Sequence, residues 1–127
     1  MCFLRAYKQG EAEMNYTILN KDELPYDGNT HEFQGYLYGD TNVSFIWVEM
    51  PPGDGPRLHR HPYAEVFIVQ EGQATFTVGS TTLEVKAGHV VIVPPGVPHK
   101  FLNSGEGLLK QIDIHVSKQF ITEWLED

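Results

Sequence analysis

The 127-residue sequence has very few thiols and no long apolar run. Its one cysteine, Cys2, cannot form a disulfide within the chain, and there is no group of thiols that could hold a soft metal. No stretch reaches the roughly 18 apolar residues of a membrane helix, and no window shows the charged and then apolar pattern of a signal peptide. We therefore expect a cytoplasmic protein without membrane contact.

Positive charge is also scarce. Nine lysines and arginines stand against 17 aspartates and glutamates, which gives a formal net charge of −8. Such a surface repels the phosphate backbone of nucleic acids instead of concentrating it. We expect no nucleic-acid partner.

The sequence does contain many short segments that are rich in β-forming residues and separated by glycine and proline. About nine such segments at close intervals are typical of an all-β fold, either a closed barrel or a jelly roll. The length suits one domain, so we expect residues 14–127 to form a single domain and residues 1–13 to be a flexible N-terminal extension. The predicted strands include residues 35–38 paired with 42–50, and residues 64–69, 74–78, 82–85, 90–93, 99–102 and 108–116.

Residues 117–127 form the only segment with a helical pattern. Ser117 is a suitable N-cap. A short C-terminal helix is predicted because the apolar residues fall on one helical stripe, which comprises Phe120, Ile121, Trp124 and Leu125.

The residues with metal-binding chemistry are concentrated around one predicted strand edge. His59 and His61 are two residues apart, so in a strand their side chains leave the same face, and Glu65 keeps that parity. His99 follows the Pro95-Gly96 turn and can close the group from another strand. Imidazole nitrogen and carboxylate oxygen suit a divalent cation. Spacing alone also allows solvated surface histidines, and it leaves both interpretations open.

Two sequence motifs that contain these residues favour the metal site over solvated surface histidines, because they resemble the motifs of a known family. Both motifs resemble those of the cupin superfamily, in the right order and with 15 residues between them. The first reads Gly53-x5-His59-x-His61-x3-Glu65-x6-Gly72, and the second reads Gly88-x5-Pro94-x-Gly96-x2-His99-x3-Asn103.

The resemblance implies a double-stranded β-helix, which is a jelly-roll barrel of antiparallel strands with one open end. It also implies that His59, His61, Glu65 and His99 bind one divalent metal ion inside the barrel. Manganese or iron is favoured, with zinc and nickel as alternatives, because the order of metal affinities leaves the identity of the ion to availability.

A substrate pocket is predicted beside the ligands. By strand parity, Phe67 and Val69 share the face of Glu65, and Phe101 shares that of His99, so they form either an apolar pocket wall or plain barrel core. Arg57 has the parity of the histidines, and it either meets an anionic substrate at the mouth or is a solvated loop charge.

The last predicted strand, residues 108–116, has a polar face and an apolar face. Gln111, Asp113 and His115 share the polar face, which would supply a proton-transfer group near the metal if it pointed inward. We predict instead that the apolar face points inward, with Gln111 as a candidate pocket residue if it does not.

Function follows only as a class. We expect a metal-dependent enzyme that acts on a small organic molecule, either dioxygenase-like or isomerase-like. The alternative is a non-catalytic cupin that binds or senses a ligand through its metal, and fold and metal alone do not choose between them. We also expect a homodimer, because Phe120, Trp124 and Leu125 would be costly to expose.

Overall fold

The computed structural model describes residues 4–9 and 12–127, with side chains from Tyr16 onward. Strands β1 (Leu4–Gln9) and β2 (Ala12–Thr17) pair antiparallel as a two-stranded sheet. The predicted boundary between residues 13 and 14 therefore falls within β2. Cys2 and part of the predicted extension lie outside the described residues, and the flexibility of residues 1–13 stays a prediction.

Two larger antiparallel sheets build the rest of the molecule, which is a double-stranded β-helix as expected. The strands run in order from β3 (Tyr26–Asp27), β4 (Thr30–Gln34), β5 (Ser44–Met50), β6 (His59–Arg60), β7 (Glu65–Glu71), β8 (Gln73–Val78), β9 (Thr81–Lys86), β10 (Val90–Val93), β11 (His99–Asn103) and β12 (Leu109–His115) to β13 (Glu123–Trp124). One sheet has the order β10-β7-β12-β5-β4-β3, and the other has the order β13-β6-β11-β8-β9.

The interior between these sheets is apolar at one end and polar at the other. Residues of alternating parity point inward, so on β7 Phe67 and Val69 join the apolar core while Glu65 lies buried at the polar end. The polar end is where the predicted metal ligands lie. The buried apolar cluster consists of Val48, Phe67, Val69, Ala74, Phe76, Val85, Val91, Val93, Phe101 and Leu109.

The Pro95-Gly96 turn places β11 beside the strand that carries the first histidines. Gly96 has φ of 79°, a left-handed conformation that glycine adopts without strain. Its N–H donates to the carbonyl of His61 at 2.7 Å. As a result His99, at the start of β11, pairs directly with His59 on β6.

The predicted C-terminal helix is wrong. Residues 117–127 run in an extended path across the open end of the barrel, where β13 pairs with β6. The backbone is satisfied by distant partners: Phe120 N–H donates to the side chain of Gln34, and Leu125 N–H donates to the carbonyl of Leu58. These long-range bonds replace the bonds within a helix that the apolar stripe suggested.

Residues 35–38 are also not a strand. Gly35–Leu37 is a 3-10 turn closed by two N–H groups, of Tyr38 and Thr41, that both donate to the carbonyl of Gly35. On its upstream side β5 pairs instead with β4, and on the other side it pairs with β12. Among the described residues, no helix is long and apolar enough to cross a membrane.

The prediction for the face of β12 is wrong as well. Gln111, Asp113 and His115 point inward and are 0–3% exposed. They are tolerated there because each has a polar neighbour: Gln111 donates to Asp113 at 2.8 Å, and His115 contacts Glu65. The isoleucines of the other face are half-buried opposite aromatic residues of β5, with Ile112 facing Trp47 and Ile114 facing Phe45.

Candidate metal centre

The four predicted ligands come together at the polar end of the barrel. Each of His59, His61, Glu65 and His99 offers one donor atom, and these atoms all lie within 4.8 Å of one another. All four residues are buried, with exposures of 1–7%. Strands β6, β7 and β11 carry His59, Glu65 and His99 from both large sheets, and His61 follows directly after β6.

The hydrogen bonds of the three histidines determine which ring nitrogen faces the cluster. Nδ1 of His59 lies 2.6 Å from the carbonyl of Arg57, and Nδ1 of His99 lies 2.9 Å from that of Val97. Nδ1 of His61 lies 2.8 Å from the carbonyl of Ile121. Because a carbonyl only accepts, each Nδ1 carries the proton and each neutral ring keeps a lone pair on Nε2.

This arrangement fits a divalent cation. Glu65 Oε1 lies 2.9 Å from Nε2 of His99 and 3.0 Å from Nε2 of His61, so lone pairs face a carboxylate oxygen. Nε2 of His61 is buried and has no hydrogen-bond partner among the described residues. The nitrogen lone pairs and the carboxylate oxygen repel one another, and a cation between them would remove this repulsion and give Nε2 of His61 a partner. Three imidazoles and one carboxylate are also a donor set that suits a divalent ion.

The electrostatics of the cluster also favour metal binding. Burial lowers the pKa of His59 from 6.5 to about 4, so its imidazole stays neutral at physiological pH. Burial alone would raise the pKa of Glu65, but the imidazoles around it, foremost His115, outweigh burial and hold that pKa well below its usual range. The site therefore presents a neutral nitrogen at His59 and a charged oxygen at Glu65, the protonation states that metal ligands need.

A cavity of about 240 Å³ opens at these ligands. Its aromatic wall includes Phe67 and Phe101, two of the residues predicted for the pocket. The other lining residues are Asp27, Thr30, Glu32, Ile46, Val48, Met50, Pro56, His59, His61, Glu65, Asp113, His115, Phe120, Thr122 and Trp124.

Three predicted pocket residues lie elsewhere. Val69 is part of the apolar core, and Gln111 is buried next to Asp113 but does not line the cavity. The Arg57 guanidinium stacks over the ring of Trp124 at 4.7 Å and is also outside the lining.

Sequence reasoning missed two groups of lining residues. The C-terminal segment contributes Phe120, Thr122 and Trp124, which were assigned to a helix. Strands β3 and β4 contribute Asp27, Thr30 and Glu32 from a region with no recognised motif. Thr30 and Glu32 alternate along β4, but nothing in the sequence shows which side of that strand faces the barrel interior.

The family model for the cupin domain matches residues 46–115, more than half of the chain. The matched region contains all four clustered ligand residues. The chain belongs to the cupin family.

Curated relatives of this cupin share parts of its length. An uncharacterized protein of Streptomyces coelicolor is 48% identical over 69 residues, which cover 54% of this chain and 66% of the relative. The H2HPP isomerase of Bacillus subtilis is 29% identical over 92 residues, which cover 72% of this chain and 38% of the relative. The chain thus spans less than two thirds of the length of these relatives.

Solved structures show the same fold at low sequence identity. Oxalate decarboxylase of Bacillus subtilis is 21% identical and superposes with a TM-score of 0.79, over 94% of this cupin and 35% of that chain. A double-stranded β-helix protein of Klebsiella pneumoniae is 23% identical with a TM-score of 0.67, over 87% of this cupin and 97% of that chain.

Proposed function

We propose that this cupin is a metal-dependent enzyme that acts on a small organic molecule inside the barrel, with isomerase-like proton transfer favoured over dioxygenase-like chemistry. The observation that carries the proposal is that Asp113 and His115 line the same cavity as the ligand cluster. A general acid or base beside an open metal position is what proton-transfer catalysis needs, whereas a simple metal-binding module does not need one.

Asp113 is suited to hold a proton. Its side chain is buried, and burial, with a further contribution from the charge of Glu65, raises its pKa well above the usual value. Gln111 donates to Asp113 Oδ1 at 2.8 Å and orients the group. A carboxylic acid that stays protonated at neutral pH can donate its proton to the carbon of a bound enol, and the carboxylate that remains can then accept the enol proton.

The charge of the cavity wall narrows the class of substrate. Three acidic residues besides the protonated Asp113 line the cavity, Asp27, Glu32 and Glu65, while the part of the chain that the structure describes contributes no lysine or arginine to it. A ligand with several negative charges would be repelled there. We therefore propose a substrate with no more than one carboxylate or enolate group and an apolar or aromatic body that packs on Phe67 and Phe101.

Manganese or iron is the metal that we propose. One of the oxalate decarboxylase structures is described as having Mn(II) centres, which supports manganese by analogy. When bound, such an ion would act as a Lewis acid toward a substrate oxygen. The role of the chain's own residues is to orient the substrate, exclude water and hold a proton at Asp113.

Proton exchange into phenylpyruvate tests the proposal directly. In D2O, the protein loaded with Mn(II) should exchange the methylene protons of this keto acid faster than the metal-free protein, as followed by proton NMR. Asp113→Asn keeps the size of the side chain, and it should slow exchange by about 10²-fold or more if Asp113 is the acid–base group. Oxygen uptake, measured in parallel with an electrode, would point to the dioxygenase-like alternative.

The non-catalytic interpretation predicts a different result. Ligands would raise the melting temperature of the metal-loaded protein in a saturable manner, with neither proton exchange nor oxygen uptake. If this result held across a panel of enolisable monocarboxylates, the enzyme proposal would be wrong and the protein would be a ligand-sensing cupin.

A further inference from the structure

A fourth imidazole lies against the metal centre without joining the ligand cluster. His115 on β12 is 2% exposed, and its ring centroid lies 4.7 Å from that of His61. Its Nε2 makes no well-aligned hydrogen bond among the described residues, and it lies 3.1 Å from Glu65 Oε2. The other oxygen of Glu65 faces His61 and His99, so the two carboxylate oxygens have different surroundings.

The hydrogen bonds of Tyr63 determine which nitrogen of His115 carries the proton. The N–H of Ile121 donates to the Tyr63 hydroxyl at 3.2 Å, so the hydroxyl oxygen is an acceptor there. The hydroxyl proton is then available for Nδ1 of His115, only 2.6 Å away. Nδ1 of His61 also lies 3.3 Å from this hydroxyl, but its proton is already donated to the Ile121 carbonyl at 2.8 Å.

Nδ1 of His115 is therefore an acceptor, and the proton of the neutral ring is on Nε2. This is the opposite tautomer to that of His59, His61 and His99, whose Nδ1 atoms face carbonyl groups. An Nε2 that carries a proton cannot bind a metal, but it can donate to a carboxylate.

We propose that His115 is a positioning residue of the metal centre, held by Tyr63 as the Nε2–H tautomer so that it donates to Glu65 Oε2 and leaves Oε1 for the metal. Nε2 of His115 already lies at hydrogen-bond distance from Glu65 Oε2, at 3.1 Å. With Oε2 held in this way, Glu65 would offer one oxygen and not two to a bound cation. The proposal rests on the proposed metal-dependent function.

The tautomers can be read directly in the Zn(II)-loaded protein with 15N-labelled histidine. Long-range proton–nitrogen NMR spectra should show three rings with protonated Nδ1 and metal-bound Nε2, and His115 with protonated Nε2 and bare Nδ1. His89 is an internal reference, because its Nδ1 accepts from the N–H of Lys86 and it is not part of the ligand cluster. A metal-bound Nε2 on His115, or a proton on its Nδ1, overturns the proposal.

Variants provide a second test through metal affinity and the Mn(II) EPR spectrum. Tyr63→Phe removes the hydroxyl, and His115→Leu removes the donor. Each should weaken Mn(II) binding by about 10- to 100-fold and change the zero-field splitting. His115→Gln keeps an N–H donor, so it should recover part of the affinity. The control is Tyr36→Phe, at a tyrosine that does not line the cavity.

The outcomes separate this inference from the proposed function. Loss of affinity to the same degree in His115→Gln and His115→Leu, with an additional nitrogen ligand in the wild-type EPR spectrum, would make His115 a fifth ligand and overturn only the positioning role. Unchanged affinity and EPR spectra in Tyr63→Phe would also overturn it. Failure of the wild-type protein to bind Mn(II) or Zn(II) would remove both this inference and the metal-dependent function.

Discussion

The ligand histidines of this cupin are oriented in two different ways. His59 and His99 each donate Nδ1–H to the carbonyl two residues earlier, so the local chain sets their ring orientation. His61 instead uses the carbonyl of Ile121, 60 residues away. The orientations of the His59 and His99 rings are therefore fixed by the chain just before each histidine, whereas the orientation of the His61 ring depends on the C-terminal segment. Loss of a ligand side chain should therefore be distinguishable by experiment from loss of the hydrogen bond that orients it.

Removal of a ligand should remove both metal and stability. We expect His59→Ala and His99→Ala each to bind Mn(II) much more weakly than wild type, and the double variant to bind none at the cluster. At free metal about 100-fold above its Kd, wild type should gain about 2.7 kcal/mol of unfolding free energy that the variants lack. Thermal melts with and without metal, together with elemental analysis, measure this. His89→Ala, at an exposed histidine, is the matched control, and full metal occupancy of the double variant would contradict the ligand assignment.

In the metal-free protein, His59 should lower the free energy of unfolding as the pH falls from about 6.5 to about 4, an effect opposed by Asp113, whose raised pKa lets the folded chain hold an extra proton. Because burial lowers the pKa of folded His59 to about 4, the unfolded chain takes up a proton in this window that the folded chain does not. The contribution is fully present above about pH 6.5 and decreases as the pH falls toward about 4. Glu65, whose pKa is lowered in the folded chain, causes a further loss of stability only when the pH falls below its ordinary pKa near 4.5.

Urea unfolding of the chelator-treated protein from about pH 7 to about pH 4 measures this dependence. His59→Gln, which cannot be protonated, should show a smaller slope. Equal slopes for the two proteins would show that His59 is not the group responsible.

The C-terminal segment behaves as a strap over the metal centre and not as a separate terminal element. Ile121 contacts the centre through both of its backbone groups, with its carbonyl on His61 and its N–H on Tyr63. Phe120 packs edge-on against His115 at 4.8 Å, and the ring of Trp124 lies 5.1 Å from that of His59. The segment is therefore coupled to the ligands by direct contacts.

Metal binding should slow hydrogen exchange in this segment. A metal on Nε2 of His61 immobilises the ring that donates to Ile121, so opening of the segment becomes less frequent. We expect the peptide that covers residues 118–127 to gain protection on addition of Mn(II), as measured by hydrogen-exchange mass spectrometry. The peptide for residues 81–88, in β9 and the following turn, should not change, and equal protection of both peptides would indicate global stabilisation instead.

At the scale of the whole molecule, the six-stranded sheet leaves an apolar outer face at its edge. Strand β10 is an edge among the described strands, and Val90 and Ile92 point outward from it with exposures of 58% and 65%. Ile68 on the adjacent β7 extends the patch. An exposed apolar edge strand is a site for pairing with another chain, and we propose that the occupant is a second copy of this chain.

Light scattering should therefore return about twice the mass of one chain at micromolar concentration. Ile92→Glu should shift the protein to monomers, because it places like charges at the interface. Leu83→Glu, at an exposed position on β9 of the other sheet, is the matched control and should stay dimeric. A monomeric wild-type protein would contradict the proposal. The cytoplasmic location stays a prediction that cell fractionation can test.

The sequence by itself was sufficient for the all-β fold and for the four residues of the cluster. Strand parity and the two motif spacings are local properties, and they specify which side chains share a face. Parity does not specify which face is inward, and this is why the orientation of β12 was predicted wrongly. Its polar face became the inner one because Gln111 and Asp113 pair with each other and His115 finds Glu65 on another strand.

Only the tertiary structure decided the path of the C-terminal segment. The apolar stripe of residues 120–125 is compatible with a helix, but helix formation competes with long-range contacts that no local pattern reveals. Here the side chain of Gln34, the hydroxyl of Tyr63 and the carbonyl of Leu58 accept from backbone N–H groups of the segment. The extended path follows because these acceptors lie along the barrel mouth, which exists only once the two sheets have formed.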